Sequence, residues 1–189
     1  MTQISPFACI AAALLLLLLP LNWLLAAVAA AFVHEMGHFI AISATGGMVR
    51  GIRIGARGVR MDTLLTSSKQ ELLCAAAGPL ASFALLMLDH IFPRLAICAL
   101  IQGAFNLLPV YPFDGGRILR CLLFSLTPAK ADSLTRWASW AVYGISFLAA
   151  LSGWIRWGLG VLPLLCWLGA FGSGVFGKIP CKKGGNRVQ

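Results

Sequence analysis

The chain has 189 residues, 59% of them hydrophobic and 11% charged, with a net charge of +9 and a mean hydropathy of +0.86. Soluble domains carry roughly 25% charged residues, so a soluble globular protein is excluded and an integral membrane protein is expected. The basic balance does not point to nucleic acid, because the Lys and Arg residues fall at the ends of apolar runs, where they suit anionic headgroups.

The first apolar run, from Phe7 to Ile42, has 36 residues. As one helix it would be ~54 Å long, against a hydrocarbon core of ~30 Å. It therefore predicts two spans, about 5–19 and 22–44, broken at Pro20-Leu21-Asn22. No Lys or Arg precedes residue 50, so the charged start of a signal peptide is missing and span one is expected to be retained. Span three follows Lys69-Gln70-Glu71 and runs to Leu88. Span four runs from Leu95 towards Phe113. Spans five and six cover about 134–151 and 157–176, with a turn at Ser152-Gly153. The expected fold is an all-α polytopic membrane protein of about six transmembrane helices. It forms a single domain over 1–189 with its core at 20–125.

Between spans two and three, Gly47 to Met61 interleaves Val49, Ile52, Ile54 and Val59 with Arg and Gly. This pattern fits a small β-hairpin-like segment at the membrane rim, or a flexible basic loop on headgroups. A hairpin edge there could pair with an unwound strand of another protein. The six cysteines (9, 74, 98, 121, 166, 181) contain no Cys-x-x-Cys pair and read as small apolar residues, not a disulfide framework. Cys181, in the basic tail, reads as an idle thiol.

If the loop after span two faces the cytoplasm, thirteen basic residues lie on that side. Only Arg94 and Arg156 lie on the other. The bias orients both termini towards the cytoplasm. Trp23, Trp154 and Trp157 then fall near the outer interface, and Trp137 and Trp140 near the inner one.

From Ile4 to Val49, Glu35 is the sole acidic or basic residue, and His34 and His38 are the sole histidines. They form His-Glu-x-x-His. On a helix, residues four apart share a face, so both imidazoles can hold one Zn²⁺. Glu35 stands where a base acting on water would be needed. Ionisable groups at membrane depth are costly and are usually kept for function.

Catalytic zinc usually has three protein ligands. The candidates for the third are His90, Glu71, Asp89, Asp114, Asp62 and Asp132. Asp89 and His90 fall at the opposite face of the membrane. Asp62 and Asp132 lie in loops. Glu71, beside Lys69 at a helix start, reads as a solvated charge favoured by the helix dipole. Asp114 lies in Asn106-Leu-Leu-Pro109-Val-Tyr-Pro112-Phe-Asp114-Gly115-Gly116-Arg117, where two prolines and two glycines break a helix. Irregular backbone at membrane depth is tolerated only inside protein or against a cavity. A carboxylate there needs a partner, and Zn²⁺ is favoured over the alternative of a helix cap.

These two motifs, with Ala77-Gly78-Pro79-Leu80 in span three, resemble the site-2 protease family of intramembrane zinc metalloproteases. The wording around Asp114 resembles the short stage IV sporulation protein FB-like branch. The resemblance implies that His34, His38 and Asp114 bind one zinc per chain, that Glu35 is the catalytic base and that Asn106 positions the scissile carbonyl. It implies regulated intramembrane proteolysis of a membrane-anchored regulatory protein in a bacterial cell membrane, with an inhibitory or regulatory membrane protein as a further partner. No inserted PDZ-like domain and no C-terminal nucleotide-sensing domain are expected. A metal transporter and a catalytically inactive membrane scaffold are the alternatives.

Overall fold

The computed structural model describes residues 3–4, 20–55, 58–64, 67–157 and 167. A three-stranded sheet has the order β1 (Gln3–Ile4), β2 (Met48–Gly55), β3 (Gly58–Leu64). β2 and β3 pair antiparallel, from Met48 opposite Leu64 to Gly55 opposite Gly58, with a bulge between Val49 and Gly51. β1 lies parallel on the other edge of β2, with Gln3 opposite Arg53 and Ile4 opposite Ile54.

Helix α1 (Leu21–Ala44) starts directly after Pro20. Its 24 residues make it ~36 Å long, enough to cross a bilayer. Its buried residues are Ala30, His34, His38 and Ile42, spaced by four in one narrow stripe. Leu21, Leu25, Val28, Phe32, Phe39 and Ile40 are exposed around the rest. A helix apolar on so many sides, with so narrow a buried face, meets lipid on the others. Thr45 closes α1 by donating its hydroxyl to Ala41 O at 2.7 Å. Gly46, at φ 72°, then turns the chain into β2.

Helix α2 (Ser68–Ala84) is capped by Ser67, whose Oγ accepts from the Gln70 N–H at 3.2 Å. It runs on as a 3₁₀ turn, Leu85–Leu88. Its buried side carries Gln70, Cys74, Gly78 and Ser82, again four apart. α1 and α2 meet backbone to backbone: a Cβ on Gly37 would sit 2.6 Å from Ala77 O. Helix α3 (Pro93–Asn106) opens with Pro at its first position, where the missing N–H costs nothing. It closes on α2 at Gly103, where a Cβ would lie 3.1 Å from Ser82 Cβ. Helices α4 (Asp114–Leu126) and α5 (Ala131–Trp157) complete the described chain. Arg120 of α4 donates to Asp132 of α5 at 2.7 Å.

Among the described residues, three helical stretches are long and apolar enough to cross a membrane: Leu21–Ala44, Ser68–Leu88 and Ala131–Ile155. The expected spans at 5–19 and 157–176 lie outside the described residues, apart from Trp157 and Trp167. Two expectations change. Span four does not run towards Phe113, because α3 stops at Asn106 after 14 residues. Pro109 and Pro112 have no N–H to continue a helix, so the chain leaves helical geometry ahead of them. Ser152-Gly153 is not a turn, since both lie inside α5. The Ser152 hydroxyl bonds back to Ala149 O at 2.8 Å. A single Gly costs a helix only about 1 kcal/mol, too little to end a long apolar one.

The Gly37 contact sets the distance between α1 and α2. Gly37→Ala is expected to force them apart at a cost of about 1–3 kcal/mol, read as a lower Tm of the detergent-purified chain.

Candidate metal centre

His34 and His38 occupy the middle of the buried stripe of α1. Asp114 comes to them from the far end of an irregular segment, 107–113. Val110, fully buried, anchors that segment. The Phe113 N–H donates to Val110 O at 2.8 Å. From α5, Ser139 Oγ accepts the Tyr111 N–H at 3.1 Å, and the Tyr143 hydroxyl donates to Tyr111 O at 3.2 Å. The Tyr111–Pro112 peptide is cis. The first turn of α4 folds back under this segment so closely that a Cβ on Gly115 or Gly116 would overlap the backbone of Leu107 or Val110. This is why two glycines follow Asp114.

Asp114 does not cap its helix. The N-cap of α4 is Phe113, with no side-chain cap bond. The Asp114 Oδ2 instead lies 3.1 Å from His34 Nε2 and 3.1 Å from His38 Nε2, and the two Nε2 atoms are 3.3 Å apart. All three residues are buried. Ligand atoms ~2.0–2.1 Å from a zinc at tetrahedral angles stand ~3.3 Å from one another. The donor set therefore has the spacing that a zinc ion requires.

The outer nitrogens agree. His38 Nδ1 lies 2.7 Å from Cys74 O. A carbonyl only accepts, so this nitrogen carries the proton. In the neutral ring, His38 Nε2 then turns a lone pair towards the carboxylate. His34 Nδ1 is bonded to Ser82 Oγ at 2.9 Å. Electron-rich atoms facing one another at these distances repel unless a cation stands among them. Gly78 gives the cradle its floor: a Cβ there would overlap His38 Nε2 and come within 2.9 Å of His34 Nε2.

Asn106, the last residue of α3, places Nδ2 3.4 Å from His34 Nε2. Glu35 is half-buried beside the cluster, within electrostatic reach of both histidines, Asp114 and Arg117. Arg117 Nη1 lies 3.6 Å from the second Asp114 oxygen. Asp89, His90, Asp132 and Glu71 stay away from this cluster. Asp89 and His90 face each other at 3.6 Å on the exposed surface. Asp132 pairs with Arg120, and Glu71 in the first turn of α2 lies in reach of that same arginine. Asp62 is on β3.

Sequence reasoning missed Cys74 O and Ser82 as partners of the histidines. It noted Gly78 but not its contact with both rings. The signal was present as Cys74-x-x-x-Gly78-x-x-x-Ser82, one face of α2 at the pitch of His34-x-x-x-His38.

Two family models match the chain: Peptidase M50B-like over residues 7–100 and Peptidase family M50 over residues 86–151. Zinc metalloprotease MJ0392 from Methanocaldococcus jannaschii is 34% identical over 106 residues, 48% of this chain and 31% of the relative. The chain thus spans about a third of the length of that relative. Among solved structures, the site-2 protease from Methanocaldococcus jannaschii superposes with a TM-score of 0.61 at 21% identity, covering 94% of this chain and 89% of the other. The fold is therefore shared.

The Gly78 cradle has a direct consequence. Gly78→Ala is expected to displace both rings and to cut bound zinc from about one per chain to a small fraction, measured by elemental analysis of the purified protein.

Proposed function

The chain belongs to the peptidase M50 family, the site-2 proteases, and on that premise we propose that it is an intramembrane zinc metalloprotease. Its reaction is hydrolysis of a peptide bond in or near a membrane segment of a membrane-anchored regulatory protein. The convergence of His34, His38 and Asp114 carries this reading, and these residues would hold the ion. When bound, Zn²⁺ supplies a Lewis acid that activates water and polarises a carbonyl.

The protein's own groups do the rest. Glu35 takes a proton from the attacking water and passes it to the departing amine. Asn106 Nδ2 donates to the scissile carbonyl oxygen and orients it. Arg117 draws the outer oxygen of Asp114 towards itself, leaving Oδ2 turned to the histidines. The substrate segment must unwind first, because a helix keeps its carbonyls bonded and covered; Gly or Pro in it lowers that cost.

We read the chain as six spans in a bacterial cell membrane, forming a single domain with both termini and the site towards the cytoplasm. The pairing of Gln3–Ile4 with β2 supports a common side for the start of the chain and the loop after α1. The distribution of basic residues supports the orientation. β2 and β3 read as one hairpin at the cytoplasmic rim. Since β1 takes the other edge of β2, an unwound substrate strand would add to β3. The bilayer, a membrane-anchored substrate and an inhibitory or regulatory membrane protein are the expected partners, and nucleic acid is not.

Among the described residues, metal-capable side chains of three or more gather at one place only. This favours the protease over a metal transporter, which needs polar groups along a path. Glu35, outside the ligand triad yet beside it, favours the protease over an inactive scaffold.

Glu35→Gln is expected to keep about one zinc per chain and to lose at least ~10²-fold in cleavage of a single-span protein in liposomes. Asp114→Asn is expected to lose zinc as well. Equal zinc in both variants and the wild type would remove Asp114 from the ligand set.

A further inference from the structure

We propose that Ser82 is the positioning residue of the metal centre: it holds His34 in the tautomer and ring plane that turn Nε2 to the metal. This rests on the metal-centre reading above and extends it to a residue outside the triad.

The hydroxyl is fully buried, and so is the ring it meets. Ser82 Oγ lies 2.9 Å from His34 Nδ1, while His34 Nε2 faces Asp114 Oδ2 at 3.1 Å. With Nε2 committed to the centre, Nδ1 carries the proton and donates it to Ser82 Oγ. A neutral imidazole can otherwise carry its proton on either nitrogen, and the wrong tautomer would aim an N–H at the cation.

The two histidines are held by different devices. The acceptor for His38 is a backbone carbonyl, Cys74 O at 2.7 Å, which any residue at that position supplies. The acceptor for His34 is a side chain. α2 thus offers its acceptors at 74 and 82 and leaves an empty Gly78 between them, while α1 offers His38 and His34 in the opposite order.

Packing alone does not account for a hydroxyl at 82. The position is tight, because Gly103 of α3 is so near that a Cβ on it would stand 3.1 Å from Ser82 Cβ. Alanine would fill that space as well as serine does. In a bilayer, where water is absent, an unpaired buried hydroxyl is costly. The one polar group on this stretch of α2 is explained by the ring nitrogen it serves.

The test uses the full-length chain in detergent, loaded with Zn²⁺ or with Co²⁺ as a spectroscopic probe. Ser82→Ala is expected to bind zinc about 10–100-fold more weakly in chelator competition and to alter the visible Co²⁺ bands. The Tm of its metal-stripped form should match that of the stripped wild type. Ser82→Thr, which keeps the hydroxyl, should recover affinity and bands. Tight zinc binding by the wild type with unchanged affinity and bands in Ser82→Ala would overturn this role alone. So would an equal fall of Tm in the stripped and loaded forms of Ser82→Ala without an affinity change, which marks a structural hydroxyl. A wild type that binds neither metal would overturn the metal-centre reading and this role with it.

Discussion

The closeness of α1 and α2 is the constraint on which the centre depends. Gly37 against Ala77 O lets the two backbones touch. Gly78 then leaves room against α2 for two imidazoles, set edge to face at 84°, so that both Nε2 atoms reach one carboxylate. The matching pitch of the two helices completes the arrangement, since residues four apart on each are one turn apart in space. A side chain at either glycine would hold the rings away from Cys74 O and Ser82.

Asp114 is fixed by a different principle. No helix could bring it to the histidines directly from Asn106, because eight residues of helix would carry it ~12 Å onward. The prolines at 109 and 112 end α3, and the segment folds on itself so that Asn106 and Asp114, far apart in a helix, both border His34. Backbone groups freed by that break need partners, and α5 supplies two of them through Ser139 and Tyr143. α5 thus serves the site without contributing a ligand to it.

The three candidate ligands, which the fold brings together, were legible because they are rare: two histidines in an apolar span, and one carboxylate inside a run of helix breakers. Spans two and three were legible from length and hydropathy. Pro109 and Pro112 were read as helix breakers, but the apolar run was still followed towards Phe113; the helix stops at Asn106, ahead of both prolines. Ser152-Gly153 was misjudged in the opposite direction, since neither residue breaks a helix that a membrane stabilises. The partners of the histidines were hidden for another reason. Cys74 contributes through its carbonyl, which every residue owns, and Gly78 through an atom it lacks. Only Ser82 left a side-chain signal, and a lone serine among alanines carries little weight until the ring beside it is known.

On the proposed reading as an intramembrane protease, the depth of the centre reconciles two demands. A substrate segment would lie in lipid, yet hydrolysis would consume water. His38 stands six residues before the end of α1, ~9 Å of helix. Just beyond it the polar groups cluster: Gln70 Nε2 donates to Thr45 O at 2.8 Å, and Thr45 is where α1 turns into the sheet. In the other direction α1 presents Leu21, Leu25 and Val28 outward and buries only Ala30. On that reading, the shorter distance along α1 for water to cover is from the end that carries the sheet. A site nearer the sheet would lose the dry surroundings that strengthen its electrostatics, and a deeper one would lose its water. For the proposed chemistry, position along α1 is therefore as important as the identity of the three candidate ligands.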